Sequence, residues 1–184
     1  PFTVQEIAEA LKGTDKTVLV KNPVNPDLAL WIGALERLLA QGITNLGAIH
    51  RGFSTYQKTK YRNSPNWQIA LDFKNQFPNI PLIVDPSHIC GNRQGLSAIA
   101  QEALNLGYSG AIIETHCNPD EAWSDAAQQI TPEVLGNLIQ NLQVRHSDFS
   151  GFDEEIVMHR TLISDLDFQL IQILAERMKV SEKI

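Results

Sequence analysis

With only two cysteines, Cys90 and Cys117, in 184 residues, the chain has too few for a disulfide framework, and both read as reduced thiols in loops that follow strands. It also lacks any apolar run near the roughly 20 residues a membrane-spanning helix needs. The amino terminus shows none of the charged, apolar and small-residue regions of a secretory signal. Positive charge is not in excess: 15 Lys and Arg face 21 Asp and Glu, for a net charge of -6 and a pI near 5.3. That balance speaks against nucleic-acid or anionic-membrane partners. What remains, 43% hydrophobic and 20% charged residues, is the composition of a soluble globular protein with a sizeable core, and without a membrane span or signal pattern it reads as cytoplasmic.

Four short apolar runs, TVLV (17–20), LGAI (46–49), PLIV (81–84) and GAII (110–113), lack the alternation of half-exposed strands and read as buried parallel strands. Helical patterns lie between them. They start after Asn25-Pro26, Ser64-Pro65 and Gly95-Leu96, with Gly42 and Gly107 as stops. The opening PFTVQEIAEALKG reads as a helix with Thr3 as N-cap and Gly13 as stop. Thr131-Pro132 opens a further helix, EVLGNLIQNLQ. Strand and helix alternating about every 30 residues is the rhythm of a (β/α)8 barrel or a doubly wound sheet, and four units make half a barrel. The polar stretch HSDFSGFDEE reads as a linker. Beyond it, apolar residues at helical spacing run from Ile156 through Leu162, Leu166, Leu170, Ile173, Leu174 and Val180.

Each strand ends in residues a core would not select: Lys21-Asn22, His50-Arg51, Asp85-Pro86-Ser87-His88 and Glu114-Thr115-His116. In a parallel barrel these ends converge on one face, where catalytic groups sit. His88, Glu114 and Asp125 supply the nitrogen and oxygen ligands that a divalent manganese, iron, cobalt or zinc ion accepts. Lys21 and Arg51 match a substrate carrying both phosphate and carboxylate, the ammonium as a point charge and the guanidinium by bidentate contact. His50 and His116 either bond substrate or metal-bound water, or satisfy a neighbouring carboxylate. Trp31, Trp67 and Trp123 read as packing residues.

The segments VLVKNPVNPD, IHRGFSTYQ, IVDPSHICGNR and IIETHCNPDEAWSDAAQQI resemble, in order and spacing, the second half of 3-deoxy-D-arabino-heptulosonate 7-phosphate (DAHP) synthases. The likeness is to the type I beta branch, in the form fused to a chorismate mutase. The resemblance implies an α/β fold, the carboxy-terminal half of a TIM barrel, over residues 1–145. It implies condensation of phosphoenolpyruvate with erythrose 4-phosphate, the first step of the shikimate pathway. His88, Glu114 and Asp125 would be metal ligands; Lys21, Arg51 and His88 catalytic groups; Lys21, Asn22, Arg51 and Ser87 substrate-binding groups. The family's GPCS-like cysteine ligand and KPRT motif are absent from this sequence. Cys90 and Cys117 either replace that thiolate or are ordinary loop residues.

HRTLISDLDFQLIQILAERMKV is similar to the first helix of all-helical chorismate mutases, with Arg160 and Arg177 at the positions that bind chorismate carboxylates. The organisation expected is therefore a half-barrel (1–145), a linker (146–153) and a truncated mutase helix (154–184). A homo-oligomer is expected of the complete protein, and little activity of this segment alone. Alternatives are a 3-deoxy-D-manno-octulosonate 8-phosphate synthase-like enzyme, and a mutase or regulatory helical module on an inactive scaffold.

Overall fold

The computed structural model describes residues 2–144 and 153–182. The chain divides into two compact units, Pro1–Val144 and Arg145–Ile184. The expected linker, 146–153, lies outside the described residues except for its last position.

In the first unit the order is α1 (Phe2–Leu11), β1 (Val18–Lys21), α2 (Leu28–Ala40), β2 (Leu46–His50), α3 (Trp67–Gln76), β3 (Leu82–Val84), α4 (Pro86–Cys90), α5 (Leu96–Asn105), β4 (Gly110–Ala111) and α6 (Pro132–Asn141), with a short 3-10 turn at Pro119–Glu121. The four strands form one parallel sheet in the order β1-β2-β3-β4. This is the α/β half-barrel expected.

Local chemistry sets the helix starts. Asp27 caps α2 by accepting from the Leu30 amide at 3.0 Å, and Thr131 caps α6 with Pro132 in its first turn. Helix α1 begins at Phe2, so Thr3 lies inside its first turn and is not its N-cap. β4 is shorter than the GAII run. Among the described residues its strand neighbour is β3, which ends at Val84 just before Pro86, a residue with no N–H, opens α4.

Residues alternate between the two sheet faces. One face carries Val18, Val20, Leu46, Ala48, His50, Leu82 and Val84, all buried or partly buried beneath the helices. Trp31 on α2 is fully buried there, donates to the Val20 carbonyl at 3.2 Å and stacks on Phe73 of α3 at 4.4 Å. Trp67 packs edge-on against Tyr108, whereas Trp123 is fully exposed: it sits in the long loop after β4, which places no helix over it. Cys90 is not a loop residue either. It closes α4 within the core, and burial pushes its thiol up to about 11.

His50 belongs to this packed face. It is fully buried among Trp31, Phe53, Trp67 and Tyr108, and its Nδ1 lies 2.8 Å from the Tyr108 hydroxyl. Burial lowers its pKa to about 4, with the Pro65 carbonyl and the Asp85 charge offsetting part of the effect. The same burial pushes the Tyr108 hydroxyl upward. His50 is thus a neutral core histidine.

The second unit contains α7 (Asp153–Ser181). Its apolar side chains Leu162, Leu166, Leu170, Ile173, Leu174 and Val180 are all exposed by half or more.

The His50 environment sets a pH dependence. In the unfolded chain the imidazole takes a proton below about 6.5, while in the fold it does so only near 4. The stability it contributes is therefore complete above 6.5 and declines as pH falls to 4, by about 3 kcal/mol at most. Urea midpoints across this range should fall less in His50→Phe than in the parent; parallel curves would refute the assignment.

Candidate functional site

The opposite sheet face carries the polar groups. Pairing of Lys21 with Ile49, and of Ile49 with Ile83, sets one row of side chains. Two residues on from Ile49 is Arg51, two on from Ile83 is Asp85, and two on from Ile112 is Glu114. Lys21, Arg51, Asp85 and Glu114 therefore rise from the same face at the carboxyl ends of the strands.

Asp85 is 2% exposed, and a carboxylate that deep needs partners. It accepts from Lys21 Nζ at 2.9 Å through Oδ2 and, as the N-cap of α4, from the His88 amide at 3.0 Å through Oδ1. That cap, with Pro86 at the first helical position, turns His88 toward Glu114. His88 Nδ1 lies 2.9 Å from Asp85 Oδ2 and 3.6 Å from Glu114 Oε1, yet neither contact has hydrogen-bond geometry, so this ring nitrogen is buried and unsatisfied.

Glu114 is fixed from two sides. Its amide donates to Ser87 Oγ at 3.0 Å, and its Oε2 accepts from Gln128 Nε2 at 2.8 Å. The chain then loops out and returns. Ile130 pairs beside Thr115, with Ile130 N donating to the Glu114 carbonyl at 3.2 Å, so the loop between them is closed at its base. Asp125 sits in that loop with a left-handed φ of 49°. Arg93 holds the loop through the carbonyls of Gln129 (2.7 Å) and Ala126 (2.9 Å), together with Asp120.

The outcome is a group of three potential ligands, His88, Glu114 and Asp125, with one ligand atom each and all within 4.8 Å of one another. One imidazole and two carboxylates suit a borderline or hard divalent cation, and the unsatisfied His88 nitrogen is consistent with a ligand role. Among the described residues neither cysteine joins this group.

Other expected site residues occupy distinct places. The Asn22 amide is 2% exposed; it donates to the Gly52 and Pro23 carbonyls, both at 2.8 Å, and accepts from the Arg51 amide at 2.7 Å. It therefore fixes the backbone that carries Arg51. Ser87 is fully buried. Gly52, at φ 77°, lets the chain pass Asn63, where a Cβ would fall 2.7 Å from the Asn63 carbonyl oxygen. His116 closes its own turn, its Nδ1 lying 2.8 Å from the Asn118 carbonyl and 3.0 Å from the Asn118 amide. Arg160 and Arg177 lie on the exposed α7. Sequence reasoning did not single out Arg62, Arg93 or Gln128. Each acts across tens of residues, which no local pattern signals.

Comparisons with known proteins bear on the family and the fold. Residues 3–148 match the model of the DAHP synthetase I family. A phospho-2-dehydro-3-deoxyheptonate aldolase of Thermotoga maritima is 28% identical over 129 residues, covering 70% of this chain and 38% of the relative. A 2-dehydro-3-deoxyphosphooctonate aldolase of Vesicomyosocius okutanii is 36% identical over 53 residues, covering 29% of this chain and 19% of that one. Among solved structures, a truncated DAHP synthase from Thermotoga maritima superposes with a TM-score of 0.65 at 26% identity, over 74% of this chain and 50% of that one. The phospho-2-dehydro-3-deoxyheptonate aldolase structure from the same organism gives 0.67 at 25% identity, over 76% and 39%. The chain spans half or less of each of these relatives. With the strand order, the polar strand ends and the family match coinciding over the same residues, the chain belongs to the DAHP synthetase I family.

Proposed function

We propose that residues 1–145 are the carboxy-terminal half of a type I beta DAHP synthase barrel, condensing phosphoenolpyruvate with erythrose 4-phosphate. The observation that carries this reading is the meeting of His88, Glu114 and Asp125 within 4.8 Å, on the same strand ends as Lys21 and Arg51. A divalent manganese, iron, cobalt or zinc ion held by those three would supply Lewis acidity toward the aldehyde oxygen.

In the reaction, carbon 3 of phosphoenolpyruvate bonds to the aldehyde carbon, water adds at carbon 2, and the bond from carbon 2 to the phosphate oxygen breaks. Lys21 and Arg51 bind the phosphate and carboxylate and offset negative charge along the path. Arg51 makes no side-chain hydrogen bond or ion pair among the described residues, which leaves its donor fork for an anionic substrate. Asp85 keeps the Lys21 ammonium aimed at the strand ends. Asn22 and Ser87 serve by positioning, Asn22 through the Arg51 amide and Ser87 through the Glu114 amide.

For α7 we propose the first helix of a chorismate mutase, with Arg160 and Arg177 as carboxylate-binding groups and residues 146–153 as the joining segment. The division into units at Val144 supports that boundary. The proposed whole is a cytoplasmic homo-oligomer acting on chorismate as well as on the barrel's two substrates. Similarity to 2-dehydro-3-deoxyphosphooctonate aldolases favours one second reading, a barrel that takes arabinose 5-phosphate.

In the intact protein, His88→Ala and Glu114→Gln should each lower phosphate release from phosphoenolpyruvate and erythrose 4-phosphate at least about 100-fold. Near-parental rates would refute the ligand assignment. Chelation with EDTA should abolish turnover and added Mn2+ restore it, whereas activity that survives chelation would exclude a metal-dependent mechanism. Offered both sugars, the enzyme should prefer erythrose 4-phosphate; preference for arabinose 5-phosphate would establish the second reading.

A further inference from the structure

We propose that Arg62 is the positioning residue of the metal centre, presenting two of its three ligands at once. The inference rests on the reading of His88, Glu114 and Asp125 as metal ligands.

Arg62 Nη1 lies 2.9 Å from Asp125 Oδ1 and 2.9 Å from Gln128 Oε1. Gln128 is 1% exposed and passes the effect on, its Nε2 donating to Glu114 Oε2 at 2.8 Å. An amide has one accepting and one donating end. Arg62 claims the oxygen, so the nitrogen must turn to Glu114. One guanidinium therefore orients Asp125 directly and Glu114 through a single amide.

Asp125 needs such a partner. It stands on a loop in a left-handed backbone conformation, and among the described residues its carboxylate has no other hydrogen bond. Two carboxylates gathered within 4.8 Å repel each other, and a fixed cation at their outer side offsets that repulsion before an ion binds. Arg93 grips the same loop but meets only backbone carbonyls and Asp120.

Arg62 is itself anchored to the helix that carries His88. Its amide donates to the Cys90 carbonyl at 3.4 Å, and Asn63 donates to the Ile89 carbonyl (3.1 Å) and, through Nδ2, to the His88 carbonyl (2.7 Å). Gly91 permits the approach, since a Cβ there would lie 2.6 Å from Arg62 Cβ. The Arg62-Asn63 pair thus ties the segments bearing all three ligands into one unit.

The test is titration of the intact, metal-stripped protein with Mn2+ alone, free ion being followed by electron paramagnetic resonance. Arg62→Ala should raise the Mn2+ dissociation constant about 10–100-fold in protein whose metal-free form still unfolds in one cooperative transition. Gln128→Leu, which cuts only the relay to Glu114, should raise it less. A dissociation constant for Arg62→Ala equal to the parent's would overturn the inference. Should Arg62→Ala fail to fold, Arg62→Met decides: it keeps an apolar stem of similar reach but donates to neither acceptor, so weakened binding supports the inference and unchanged binding refutes it. His88→Ala separates the two levels. If it binds Mn2+ like the parent, the metal reading itself fails; if it loses Mn2+ while the Arg62 variants keep it, only the role of Arg62 is withdrawn.

Discussion

Parallel pairing of four strands, with side chains alternating between two faces, is the constraint on which the rest of the structure depends. Pairing of Lys21 with Ile49, and of Ile49 with Ile83, commits one row of every strand to the helices and the other to the site. A slip of one residue on β2 would send Arg51 into the core and bring His50 out. Nothing of that kind is tolerable, because His50 fills an aromatic nest with Trp31, Phe53, Trp67 and Tyr108. Packing on one face thereby fixes chemistry on the other.

Charge on the site face is arranged as alternating partners. Lys21 faces Asp85, Asp85 caps the helix that turns His88 inward, and Arg62 faces Asp125. Buried and half-buried carboxylates are costly unless each has a cation or several donors. Here Asp85 has Lys21 and the α4 amide, and Glu114 has Gln128. The contacts that satisfy these groups also aim them. Asn22 shows the same economy: in bonding Gly52, Pro23 and the Arg51 amide it closes the junction between two strand ends and sets the residue suited to an anionic substrate.

Much of the scaffold was legible because its signals are local. Unbroken apolar runs marked all four strands, and Thr131-Pro132 before an apolar stripe marked the start of α6, which ends at Asn141, two residues short of the expected stretch. The misses have physical causes. Asp85-Pro86 read as a strand end, but a carboxylate cap with proline at the first helical position nucleated the five-residue α4, which moved Cys90 from a loop into the core. Trp123 was expected to pack, and its loop leaves it in solvent. His50 could not be sorted between site and core, since the two differ only by which face of β2 it occupies.

The sequence alone determined the period of strands and helices, the polar residue types at strand ends, and the family likeness, because these depend on neighbours in the chain. Only the tertiary structure decided which polar residues meet. Asp125 reaches Glu114 because Ile130 returns beside Thr115, and Arg62 reaches Asp125 across 63 positions. Such meetings depend on how loops close over a sheet, where backbone geometry and hydrogen-bond satisfaction act between distant segments, and no local pattern of residue types encodes that.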